Sequence, residues 1–172
     1  MVKPLQPLLI LCEPHMGLVE SRSIQPDASN VVLIVTGAHL RAEAADRPLA
    51  YELGHNIDLW WQRQSTLHLP VTPLVISDIW FLNNRELQAH PTISIGGPSV
   101  NALSAAWAQR LPFALLREEQ IALQLDPKFE DLRASIWGVD HVLTAEAMEI
   151  FQRKFVEGFL HAVGKQVLSA GD

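Results

Sequence analysis

The chain has 172 residues, which suits one domain with a substantial hydrophobic core. Hydrophobic residues make up 48% of it and charged residues 19%, a composition that is typical of folded globular proteins and excludes a disordered chain. The net charge is −6 and the Lys and Arg residues are scattered, which argues against nucleic-acid binding, because that function needs a concentrated basic face.

The N-terminal part raises the question of a secretion or membrane signal. Residues 8–11 are apolar and Cys12 follows them, as in a lipoprotein signal, but the run is too short, and Pro4 and Pro7 interrupt its approach. Cys12 is the single cysteine, so no intrachain disulfide can form. No apolar run has the length of a membrane-spanning helix. We therefore expect a cytoplasmic protein that has no membrane contact.

Apolar runs bounded by turn residues predict four strands. The first two runs are apolar almost throughout, which is typical of strands that are buried on both faces of a parallel sheet. The four predicted strands cover residues 7–12, 31–36, 74–79 and 92–95. Two more short strands, over residues 121–125 and 134–138, are joined by a polar turn and predict an antiparallel pair at the edge of the sheet.

Three helices are predicted between and after these strands. Apolar residues recur at helical spacing over residues 48–64, with Asp46 as the predicted N-cap and Pro48 in the first turn. A second helix is predicted to start at Pro98, because proline suits the first helical position. A last helix is predicted from an N-cap near Thr144.

Strands that alternate with helices indicate an α/β protein. We expect a single domain over residues 1–172, built in three layers around a mostly parallel central sheet of the Rossmann-like or flavodoxin-like kind. An antiparallel edge hairpin and a C-terminal helix complete the predicted fold. The order of the strands does not follow from the sequence.

Polar residues collect at the carboxyl ends of the predicted strands, where open α/β sheets bind their ligands. Ordinary loop chemistry explains the same pattern, because a strand that meets water ends in polar residues. The candidate ligand-binding residues are Glu13, Thr36, Ser77, Gly96, Gly97, Ser99 and Asn101, and the candidate catalytic residues are Asp78, His39 and Asp140.

Residues 92–107 are the most constrained of these features, with a short strand, the Gly96–Gly97 turn and the start of a helix. Such a turn directs backbone N–H groups and the positive end of a helix dipole toward an anion. Ser99 and Asn101 would add hydrogen-bond donors, or alternatively one of them caps the helix. The turn is neither a dinucleotide fingerprint nor a P-loop, because it lacks the third glycine and the lysine.

Asp78 is the best candidate for an acid/base or a metal ligand, because it follows a buried strand; the alternative is a carboxylate that caps a turn. Mg²⁺ is the one cofactor that the residues suggest, since hard cations take oxygen ligands and Asp78 could supply them together with Asp140 or Glu13. The seven histidines include no His-x-x-x-His and there is no Cys pair, so no transition-metal site is expected.

Two functions are consistent with these features. The first is a domain that binds a small anionic molecule, of which a nucleotide fits best, and that acts as a hydrolase or transferase if it is an enzyme. The alternative is a non-catalytic sensor or interaction domain that forms a homodimer through tryptophan-rich surfaces at Trp60–Trp61 and Trp80. We expect a homodimer as the oligomeric state.

Overall fold

The computed structural model describes residues 30–64 and 71–170. The strand predicted over residues 7–12 and the candidate residue Glu13 lie outside the described residues. The predicted fold class is confirmed. A six-stranded, mostly parallel sheet lies between two layers of helices, with antiparallel strands along one side and a helix at the C-terminal end.

Six strands form the sheet. They are β1 (Val31–Thr36), β2 (Thr72–Ser77), β3 (Thr92–Ile95), β4 (Phe113–Arg117), β5 (Ile121–Leu125) and β6 (Arg133–Gly138). Their order across the sheet is β2-β1-β3-β6-β5-β4. The strands β2, β1, β3 and β6 run parallel to one another, whereas β5 is antiparallel to both of its neighbours, β6 and β4.

Within residues 30–64 and 71–170, five helices cover the two faces of the sheet. They are α1 (Leu40–Arg63), α2 (Asp78–Asn83), α3 (Ala102–Trp107), α4 (His141–Lys154) and α5 (Val156–Ala170). The helices α1, α4 and α5 pack on one face, and α2 and α3 pack on the other. Among the described residues, no helix combines the length and the apolar character that a bilayer crossing requires.

Strand β1 explains why a fully apolar run was a reliable signal. Val32 and Ile34 belong to the core beneath α1, α4 and α5, while Leu33 and Val35 belong to the core beneath α2 and α3. Successive side chains of a strand point to opposite faces, so a central strand between two helical layers needs apolar residues at every position.

The start of α1 was predicted wrongly. Pro48 lies not in the first turn, as predicted, but inside a helix that begins at Leu40. Its ring removes one intrahelical hydrogen bond and does not end the helix. His39 is the N-cap, with its Nδ1 accepting a hydrogen bond from the Arg41 N–H at 3.2 Å. Asp46, the predicted N-cap, is instead a buried residue of the second turn.

The starts of α3 and α4 were also predicted wrongly, for one common reason. In each case the helix begins where a side-chain oxygen accepts hydrogen bonds from backbone N–H groups of the first turn. This position is later in the chain than predicted for α3 and earlier than predicted for α4. Asn101 caps α3, so Pro98 lies in the preceding turn and not at the first helical position. Asp140 caps α4, so Thr144 lies inside the helix.

The antiparallel pair predicted over residues 121–125 and 134–138 is present as β5 and β6, but it is not at the edge. Strand β6 also pairs in parallel with β3, and the unpredicted strand β4 pairs with the other side of β5. The edge hairpin is therefore β4–β5. Glu118 and Glu119, with φ of 50° and 56°, form its turn.

The order of the strands creates a crevice at one edge of the sheet. From β1 the chain passes to β2 on one side, and it then returns to β3 on the other side of β1. Connections that leave neighbouring parallel strands in opposite directions separate at the carboxyl ends, and ligands of open α/β sheets bind there. The place to look for a site is the carboxyl edge of β1, β3 and β6.

Candidate functional site

A cavity of about 460 Å³ opens at this edge. Three segments line it: the first two turns of α1, the turn that follows β3, and the junction between β6 and α4. Its lining includes Arg41, Ala44, Asp46, Gly97, Ser99, Val100, Gly138, Val139, Asp140, His141 and Thr144. The cavity therefore lies between the helices that follow β1 and β6, and the glycine turn forms its third side.

Two long helices begin at this cavity. Helix α1 has 24 residues and α4 has 14, and the first turn of each contributes to the lining. The first N–H groups of a helix lack intrahelical acceptors and carry a partial positive charge. Gly97 and Ser99 line the same space, and no described residue accepts a hydrogen bond from their N–H groups. These features together favour an anion in the cavity.

Two basic side chains, Arg41 and His141, also line the cavity, and both are exposed. No described carboxylate forms an ion pair with Arg41. An unpaired guanidinium beside two helix N-termini would bind a carboxylate or phosphate group with two parallel hydrogen bonds. The positive charge of Arg41 thus adds to the partial positive charge of the two helix N-termini.

Asp46 is the one buried ionisable group of the lining. It is 5% exposed, and no described residue donates a hydrogen bond to its carboxyl group. Burial raises the pKa of Asp46 above its ordinary value of 3.8, and attraction to His141 partly opposes that rise. Because this pKa is raised, the carboxyl group keeps its proton to a higher pH than an ordinary aspartate does.

The Gly96 backbone accommodates the Asp46 carboxyl group. Gly96 has a φ of 101°, a conformation that glycine adopts at little cost. A Cβ atom at this position would overlap Asp46 Oδ2. At Gly97 an added Cβ would lie 3.5 Å from the Gly138 carbonyl oxygen, which is an ordinary contact. The two glycines of the turn therefore have different roles, and only Gly96 is required by its neighbours.

Asp78, the leading catalytic candidate, has a structural role, because both oxygens of its carboxyl group accept backbone hydrogen bonds. It is 3% exposed, and its Oδ1 accepts hydrogen bonds from the N–H groups of Ala38 at 2.9 Å and Ile79 at 2.8 Å. Its Oδ2 accepts a third from the Ala102 N–H at 2.7 Å. The carboxylate in contact with Gly96 is that of Asp46 and not that of Asp78. Asp78 does not line the cavity.

Asn101, a predicted ligand-binding residue, is fully buried and serves as a connector. Its Oδ1 accepts hydrogen bonds from the N–H groups of Leu103 and Ser104, which caps α3. Its Nδ2 donates to the carbonyl oxygens of Val35 and Ile95 and also to Ser94 Oγ. The alternative interpretation of Asn101, a local helix cap, therefore describes its contacts.

The remaining predicted residues divide between the cavity and the fold. Gly97, Ser99 and Asp140 line the cavity, and Asp140 also caps α4 through a 2.8 Å hydrogen bond from the Leu143 N–H. His39 and Ser77 are the N-caps of α1 and α2. Thr36 is fully buried at the end of β1, and its Oγ1 has no hydrogen-bond partner among the described residues.

The structure gives the proposed Mg²⁺ ligands separate positions. Both oxygens of Asp78 already accept backbone hydrogen bonds, whereas Asp140 lines the cavity at the start of α4. In residues 30–64 and 71–170, no three His, Cys, Asp or Glu side chains come together in a way that could hold a metal ion.

Two functional candidates of the cavity were missing from the sequence-based set: Arg41 and Asp46. A signal for Asp46 was present in the sequence. Ala42, Asp46, Ala50 and Leu53 are spaced three or four residues apart and are all buried, so Asp46 continues an apolar helical stripe. The stripe upstream of Pro48 was not predicted, because a proline resembles the start of a helix.

The fold and the cavity define an α/β protein with a pocket at the carboxyl edge of a mostly parallel sheet. Comparisons with protein-family models and with curated proteins give no match to the chain. The pocket combines two helix N-termini, the Arg41 and His141 side chains, the buried carboxyl group of Asp46 and the exposed carboxyl group of Asp140.

Replacing Asp78 with alanine is expected to lower the free energy of unfolding by about 3 kcal/mol, because three part-buried backbone hydrogen bonds to its carboxyl group are lost. The matched control is Asp140→Ala, which removes an exposed N-cap and should cost about 1 kcal/mol. Urea denaturation of both variants measures the difference. An Asp78→Ala variant as stable as the control would restore the catalytic interpretation of this residue.

Gly96→Ala is expected to destabilise the protein by about 1–3 kcal/mol, because alanine is strained at this φ and its Cβ overlaps Asp46. Gly97→Ala is the matched control and should change stability little. Adding Asp46→Ala to Gly96→Ala should recover the part of the loss that comes from the overlap, as a double-mutant cycle in urea would show. Equal losses at the two glycines would contradict this account.

The pKa of Asp46 is raised, so its contribution to stability is fully present below the unfolded value and is lost as the pH rises through the folded value. Asp46→Asn removes that loss. We therefore expect the melting temperature of the variant, relative to that of the original protein, to increase from about pH 4 toward neutral pH. A difference that stays constant with pH would show that the carboxyl group does not titrate in this way.

Proposed function

We propose that the protein binds a small anionic ligand of the nucleotide type in the cavity between α1, α4 and the Gly96–Gly97 turn. One observation carries the proposal: the N-termini of two long helices, His141, and Arg41, which pairs with no described carboxylate, all meet at the carboxyl edge of the sheet. Partial and full positive charges that converge on one cavity lower the free energy of a bound anion.

The size and the apolar part of the cavity support a small organic ligand. A volume of about 460 Å³ lies in the range of typical small-molecule sites. Val100 and Val139 line it, and Val139 is 62% exposed. Leu40 and Val142 are exposed next to the lining residues of α1 and α4. An aromatic base packed against these aliphatic side chains would bury surface that water now covers.

If the protein is an enzyme, hydrolysis or transfer at a phosphate or glycosidic bond is the reaction that we propose. Asp46 and His141 are the acid/base candidates of the cavity, in place of Asp78. The raised pKa of Asp46 favours a carboxyl group that both gives and takes protons. Arg41 would stabilise negative charge on the reacting group.

The second candidate, a homodimer formed through tryptophan-rich surfaces, is favoured by one specific observation. Trp80 is 53% exposed and adjoins Ile79, which is 57% exposed, on the short helix α2. Aromatic and aliphatic side chains of this kind are enriched in protein interfaces. Trp61 is buried and packs edge-to-face on Trp60, so the surface that we propose for the dimer is that of α2.

Titration with inorganic phosphate and with adenosine 5′-monophosphate tests the first candidate. A ligand that binds the folded state raises the melting temperature. Arg41→Ala is expected to weaken binding about tenfold, because a charged hydrogen bond to the anion is lost. Arg85→Ala is the matched control, since this exposed arginine lies outside the cavity lining.

The opposite outcome would favour the interaction candidate. In that outcome no phosphate, nucleotide, sugar phosphate or divalent ion shifts the melting temperature, and the protein sediments as a dimer that Trp80→Ala dissociates.

A further inference from the structure

Asp46 and Asp78 are the two buried aspartates near the carboxyl edge, and they differ in one respect. Asp78 accepts three backbone hydrogen bonds, whereas Asp46 accepts none from any described residue, although it is 5% exposed. Among the described residues, the enclosed side-chain atoms without a partner are Thr36 Oγ1 and Trp61 Nε1, so the Asp46 carboxyl oxygens retain access to the cavity that the residue lines.

Asp46 also has no structural task in its own helix. It lies in the second turn of α1, where a side chain does not cap the helix, and it replaces an apolar residue in the stripe of Ala42 and Ala50. Its carboxyl group contacts the Gly96 backbone on one side and lines the cavity on the other. The Asp46 carboxyl group, which has no described hydrogen-bond donor, is thus accessible from the space in which a ligand would bind.

The charge around the cavity decides which kind of donor fits. Arg41 and the N-termini of α1 and α4 disfavour a cationic ligand group, although the exposed carboxylate of Asp140, which caps α4, also lines the cavity. An ammonium group would be attracted to Asp46 but repelled by these neighbours. A hydroxyl group is neutral, donates one hydrogen bond to a carboxylate, and can occur on the same molecule as a phosphate.

We propose that Asp46 accepts a hydrogen bond from a hydroxyl group of the ligand, so that the cavity selects phosphorylated sugars, either free or as part of a nucleotide. This inference rests on the proposed function, because it assumes that an anion binds beside Arg41. It adds a second recognition element: the phosphate contacts the basic side chains and the helix N-termini, and a sugar hydroxyl contacts Asp46. The glycine at position 96 leaves room for that carboxyl group.

Isothermal titration with two matched pairs of probes tests the inference. The first pair is ribose 5-phosphate and inorganic phosphate, and the second is adenosine 5′-monophosphate and its 2′,3′-dideoxy analogue. The protein should bind the hydroxylated member of at least one pair about tenfold or more tightly, as expected for a hydrogen bond to a charged acceptor. The pair that shows the preference identifies the source of the sugar, a free sugar phosphate or a nucleotide.

Variants separate this inference from the proposed function. Asp46→Ala should abolish the preference for the hydroxylated probe without weakening the binding of phosphate, whereas Asp46→Asn, which keeps an acceptor oxygen, should retain part of it. Arg41→Ala should weaken every probe equally. The inference is overturned if the preference is absent or survives in Asp46→Ala. The proposed function is overturned if phosphate and the other probes do not bind, or bind independently of Arg41.

Discussion

The carboxylate of Asp78 is the contact on which the geometry of the carboxyl edge depends. Its two oxygens join the loop after β1, the first turn of α2 and the first turn of α3, through the N–H groups of Ala38, Ile79 and Ala102. These segments come from three different parts of the chain, so one buried side chain fixes their relative positions. Asn101 adds bonds from α3 to the ends of β1 and β3. With the ends of these strands held in place, the Gly96–Gly97 turn has a defined position from which it can line a cavity.

Asp46 is a buried residue whose carboxyl group takes no part in the described hydrogen bonds of the fold. The same residue type occurs twice among the buried groups near this edge, once with three backbone donors and once with none among the described residues. Burial raises the pKa of Asp46, and no described residue donates a hydrogen bond that would offset that rise. Strain or unsatisfied polarity that a protein retains in a cavity is a reason to infer a ligand-related role. The contrast between the two aspartates supports such a role for Asp46 more directly than the charge of the cavity alone.

Much of the fold could be predicted from local patterns, and the errors have identifiable causes. The strands β1 and β3 were predicted correctly, because a central strand between two helical layers is apolar on both faces. The start of α1 was missed because proline at position 48 resembles a helix start, and the buried Asp46 was consequently read as a cap. Strand β4 was missed because its Phe113 and Leu116 are exposed and it carries no clear alternation. The candidate site was predicted less well than the fold, since only the strand order, a tertiary property, determines which strand ends share a crevice.

The lengths of the helices explain why some polar strand ends serve the fold and others line the cavity. Helices α2 and α3 have six residues each, too few to be stable alone, so the buried hydrogen bonds of Asp78, which lies in α2 and accepts from the first turn of α3, and of Asn101, the N-cap of α3, are needed to hold them on the sheet. Helices α1 and α4 have 24 and 14 residues and bury long apolar stripes, so their packing does not depend on a buried cap. Their first turns can therefore carry exposed residues such as Arg41 and His141. The candidate site lies on the face of the sheet where helix stability does not require the polar groups of the edge.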